Sequence, residues 1–89
     1  MTEWDKYIEG FHKCNLKIGD KVIVIRKSYT HENGWGNSWI PKMDEFVGNQ
    51  YTIVNYVYGG FILSNEKYYE FPYFVLKKAI NLKIKKLLE

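Results

Sequence analysis

Apolar residues recur along this chain in two different rhythms. Trp4, Tyr7, Ile8 and Phe11 fall at i, i+3, i+4 and i+7, which is one face of a helix. Thr2 is placed to cap that helix, with Asp5 three residues on as a shorter stand-in for the capping-box glutamate. Gly10 is expected to end it. The rhythm then shortens to alternation. Gly19-Asp20 launches Lys21-Val22-Ile23-Val24-Ile25-Arg26, a β-branched run that suits a packed strand. Val22 and Val24 point one way and Ile23 and Ile25 the other, so both faces of this strand are expected to want cover.

The rest of the chain supplies more strands. Val47-Gly48-Asn49-Gln50 is a turn leading into Tyr51 to Val57, and Gly59-Gly60 closes a hairpin onto Phe61-Ile62-Leu63. Asn65-Glu66-Lys67 marks another turn, and Tyr68 to Phe71 a fourth strand. Pro72 interrupts, Tyr73-Phe74 suit a single tight helical turn, and Val75-Leu76-Lys77 form a short last strand. Val22, Val24, Ile53, Leu63 and Val75 are the expected shared core. Lys27 to Lys42 is a long polar loop carrying Asn33-Gly34, Gly36-Asn37 and Pro41, and long loops in small domains are often functional. The tail from Lys78 reads two ways. Leu76, Ile80, Ile84 and Leu87 share a helical face, whereas Ile80, Leu82 and Ile84 alternate like a strand; its lysines and leucines favour helix.

The organisation is therefore a helical segment over 1–15, a small β-barrel over 16–77 and a basic amphipathic tail over 78–89. One domain of 89 residues has a modest core, and its three Trp, eight Tyr and five Phe offset part of that handicap. Thirteen Lys and Arg against ten Asp and Glu leave a net charge of +3, too little for the basic stripe of a dedicated nucleic-acid binder. Cys14 is the single cysteine, which rules out an internal disulfide framework and points to a reducing compartment. No signal-peptide layout and no membrane-length apolar run is visible, so a soluble cytoplasmic protein is expected.

The element order, with a long loop after the first strand and Phe71-Pro72-Tyr73-Phe74-Val75 before the last, resembles an SH3-like barrel. Gly19-Asp20-Lys21-Val22, Trp39, Met43, Gly48, Tyr51-Thr52-Ile53, Gly60, Leu63 and Tyr69 to Leu76 are similar to short SH3-like proteins of bacteriophage and bacterial genomes. The resemblance covers Leu16 to Lys77. It implies a five-stranded barrel and a small accessory protein that engages a host protein and inhibits it. The Ala-Leu-Tyr-Asp-Tyr stretch and adjacent tryptophan pair of proline-peptide readers are missing, so that specificity is not implied.

The residues offer little catalytic chemistry. His12 and Cys14 lack a second ligand pair for a metal, and no cofactor is implied. His31-Glu32 and Asp44-Glu45 are carboxylate or imidazole neighbours of the kind that are commonly just solvated, so no enzyme is expected. The strongest signal is an aromatic–basic set. Tyr29, Trp35 and Trp39 lie in the long loop and Tyr73 beside the proline turn, with Arg26, Lys27 and Lys42 as flanking cations. Such a groove suits a partner protein, with a nucleic acid or nucleotide as the competing ligand. Trp35, between two glycines, is expected to be the exposed anchor, and Trp39, next to Ile40-Pro41, the structural ring. A third reading is a subunit that assembles through its termini; the oligomeric state stays open.

Overall fold

The computed structural model describes residues 2–57, 59–64 and 69–79. The helix α1 runs Glu3–Lys13. Its start follows the sequence: the Asp5 amide donates to Thr2 Oγ1 and the Thr2 amide to Asp5 Oδ2, each at 3.1 Å. Its end does not, because the helix passes straight through Gly10. Glycine is needed there for space, since a β-carbon would run into the Tyr73 hydroxyl.

Five strands follow: β1 (Lys21–Val24), β2 (Gln50–Val57), β3 (Gly60–Leu63), β4 (Glu70–Phe71) and β5 (Leu76–Lys78). They form one antiparallel sheet in the order β4-β3-β2-β1-β5. The central β2 serves both halves. Lys21 to Ile23 of β1 pair with Thr52 to Gln50, and Ile53 to Val57 pair with Leu63 to Gly60. A bulge between Ile53 and Asn55 adds one residue to β2. Residues opposite one another share a face, so Ile53 lies with Leu63 and Tyr56 with Phe61, and Phe61 and Leu63 are two apart. The extra residue is what returns Tyr56 to the core face, leaving Val54 and Asn55 both exposed. Among the described residues no pairing joins β4 to β5, so the sheet is open.

The expected core holds: Val22, Val24, Ile53, Leu63 and Val75 are all inaccessible to solvent. Tyr7, Trp35, Met43, Phe61, Phe71 and Leu76 complete the cluster. Cover for both faces of β1 does not follow. Ile25 is 49% exposed and Ile23 half-buried, because α1 and the long loop lie on the side where Val22 and Val24 point. The loop itself contains two short 3₁₀ turns, Glu32–Gly34 and Pro41–Phe46, and a third turn, Tyr73–Val75, leads into β5 as anticipated. The turn Asn65-Glu66-Lys67 and the tail residues 80–89 lie outside the described residues.

Candidate functional site

The long loop and the proline turn do come together, but α1 fills the space between them. Tyr7 is 1% exposed and donates its hydroxyl to the Gly59 carbonyl at the β2–β3 turn. Burial pushes its phenol well above the ordinary tyrosine range. Its ring lies 5.2 Å from that of Tyr73 and 6.1 Å, edge on, from Phe74. The 3₁₀ turn Glu32–Gly34 presses on the first turn of α1 so closely that a β-carbon on Gly34 would overlap the Glu3 carbonyl. The groove expected from the aromatic set is therefore occupied by the chain's own helix.

This overturns the assignment of Trp35 as the exposed ring. Trp35 is 0% exposed, the largest fully buried side chain described. The glycines around it allow the chain to bend down under α1 and carry the ring into the core; Gly34 adopts φ +87° to do so. Its indole Nε1 has no hydrogen-bond partner among the described residues. Trp35 cannot serve as an exposed anchor. Trp39 is half-buried and structural, as expected: its Nε1 donates to Asp44 Oδ1 at 2.6 Å and its ring stands edge on to Phe71 at 5.7 Å.

Nor are Arg26 and Lys27 a free cationic rim. Arg26 forks onto Glu32 with two bonds of 3.1 Å, donates to the Lys27 carbonyl at 2.9 Å, and lies 5.1 Å over the Phe74 ring. Ser28 donates a third bond to the same Glu32 carboxylate at 2.6 Å. Burial raises the Glu32 carboxyl, but the bonds from Arg26 and Ser28 outweigh it and hold the group below its ordinary range. Lys27 pairs with Asp44 at 3.2 Å, and Asp44 is held low first by the Trp39 indole and then by Lys27. These two clusters tie the loop back to Arg26 and Lys27, just after β1. Of the seven expected site residues, Trp35 is buried and Trp39 and Tyr73 are half-buried, while Tyr29, 64% exposed, and Lys42 lie at the surface with Arg26 and Lys27, the last two already paired.

The catalytic candidates separate in the same way. Glu32 and Asp44 are committed to loop contacts, while His31 is exposed at φ 60°. No three His, Cys, Asp or Glu side chains gather among the described residues in a manner fit to hold a metal. Burial pushes the Cys14 thiol up, away from the reactive thiolate.

An apolar groove opens elsewhere, beside the last turn of α1. It has a volume of about 480 Å³ and is lined by Phe11, His12, Leu16, Lys17, Ile18, Tyr56 and Phe61. Phe11 forms the floor, with its ring 5.0 Å from Phe61, 6.2 Å from Tyr56 and 5.6 Å from His12. Two of its large apolar lining side chains, Ile18 and Tyr56, are 52% and 55% exposed. The sequence pattern missed this groove. Phe11 belongs to a legible helical face, but Tyr56 joins it only through the bulge in β2, for which the residues give no turn signal. No helix among the described residues is long and apolar enough to cross a membrane. Comparison of the chain with protein-family models, with curated proteins and with solved structures finds no match.

Proposed function

We propose that this protein is a non-enzymatic SH3-like binding module that grips a partner protein through the groove of Phe11, Leu16, Ile18, Tyr56 and Phe61. The strand order β4-β3-β2-β1-β5, with a 3₁₀ turn between β4 and β5, supports the SH3-like reading. The observation that carries the function is the exposure of Ile18 and Tyr56 together over an aromatic floor. Burying such a surface is the main driving force of protein association, and aromatic side chains concentrate that energy in few residues. The resemblance to short bacteriophage and bacterial proteins takes the reading a step further, to an accessory protein that acts in the host cytoplasm by engaging and inhibiting a host protein.

The test is a cross-linked pull-down from bacterial lysate, treated with nuclease, using the wild type and the double variant Ile18→Asp/Tyr56→Ser. Both substituted side chains are half-exposed, so the variant is expected to melt close to wild type. A nuclease-resistant partner held by the wild type and lost by the variant supports the reading. Equal capture by both proteins moves the site to the termini, and loss on nuclease treatment replaces the protein partner with a nucleic acid.

A further inference from the structure

The charges around the groove say what kind of segment it receives. Its lining includes Lys17 and His12 and no carboxylate. Elsewhere Arg26, Lys27, Lys13 and Lys78 are each paired, with Glu32, Asp44, Glu9 and Asp20, while Lys6, Lys21, Lys42 and Lys77 have no ion pair among the described residues but lie outside the groove lining. Lys17 has no ion pair among the described residues, and the nearby Asp20 carboxylate is already engaged by the Lys17 amide at 3.0 Å and by Lys78 at 3.5 Å. The apolar floor thus has Lys17 at its rim and no carboxylate in its lining to answer that charge.

Resting on the reading of this groove as the binding site, we infer that its ligand is an acidic peptide segment: an aromatic or large aliphatic side chain seats over Phe11 between Ile18 and Tyr56, and an adjacent carboxylate meets Lys17. A single-stranded nucleic acid fits the same surface less well. Its affinity comes from several phosphate contacts and open stacking faces. Here one lysine and one histidine stand at the rim, and the floor rings are tilted against each other by 33° and 53° instead of presenting parallel faces.

The probes are four fluorescein-labelled ligands: a short peptide with central Phe and Leu flanked by glutamates, the same peptide with glutamines, the same with lysines, and oligo-dT. Fluorescence polarisation with the full chain is expected to show the glutamate peptide binding about threefold to fivefold tighter than the glutamine one, the scale of one exposed ion pair. The lysine peptide should be weaker still. Lys17→Gln should erase the glutamate preference while keeping the glutamine-peptide affinity. Lys6→Gln, at an exposed site on α1 outside the groove lining, should change nothing, and Ile18→Asp should abolish all peptide binding. Equal affinity for the glutamate and glutamine peptides, with Ile18→Asp still abolishing binding, overturns the acidic-ligand inference and leaves the groove standing. Binding indifferent to Ile18→Asp overturns both. No peptide binding, or oligo-dT binding more tightly than the glutamate peptide, also overturns the inference.

Discussion

Gly10→Ala is a sharp test of how α1 is seated, because local and tertiary effects have opposite signs. Within a helix, replacing glycine by alanine is worth about 1 kcal/mol of stability from backbone entropy. At Gly10 the new β-carbon would overlap the Tyr73 hydroxyl and stand only 3.2 Å from its Cε1 atom. Tyr73 cannot simply swing away, since its ring is held 5.2 Å from Tyr7 and 5.5 Å from Phe74. Overfilling a packed site costs about 1–3 kcal/mol, which exceeds the propensity gain over most of its range. The variant should therefore be less stable by about 1 kcal/mol, a fall in Tm of about 4–8 °C for a domain of this size. Urea and thermal unfolding followed by circular dichroism measure it. In a Tyr73→Leu background the obstruction is gone, and the same substitution should turn stabilising. A Gly10→Ala protein more stable than wild type in the native background would refute the seating of α1 on the proline turn.

Trp35→Ala should cost about 3–5 kcal/mol, the scale for removing a buried aromatic side chain, and leave little cooperative unfolding; a variant melting near wild type would return Trp35 to the surface. Acid should loosen the long loop. Glu32 and Asp44 both sit below their ordinary values, so their contribution is complete above the ordinary carboxylate range of about 4 and is lost as pH falls through their lower folded values. Tryptophan indole resonances followed by NMR should shift over that window, and Arg26→Gln should remove the Glu32 part; an indole spectrum unchanged down to acid unfolding would count against a role for these two carboxylates in holding the loop.

The legible part of this protein was whatever depends on near neighbours in the chain. Thr2 and Asp5 cap a helix by bonds spanning three residues, and alternating valines specify a strand, so the start of α1, the existence of β1 and the core set of Val22, Val24, Ile53, Leu63 and Val75 could be read directly, whereas the end of α1 and the open face of β1 could not. The closing turn Tyr73–Val75 announced itself through Pro72 in the same way. The site was a different matter. Flanking glycines say that the chain at Trp35 can bend but not which way, and the direction was decided by α1, whose first turn lies against Gly34 and whose Tyr7 reaches the Gly59 carbonyl 52 residues away. The cations were visible in the sequence but their partners were not, because Arg26 meets Glu32 and Lys27 meets Asp44 only once the loop has folded back. Tyr56 came to the groove through an extra residue in β2, and a strand's own alternation cannot say where its partner's register slips. Burial on one face is a local pattern; which aromatic side chains are left uncovered depends on how distant segments pack, and only the tertiary structure settles that.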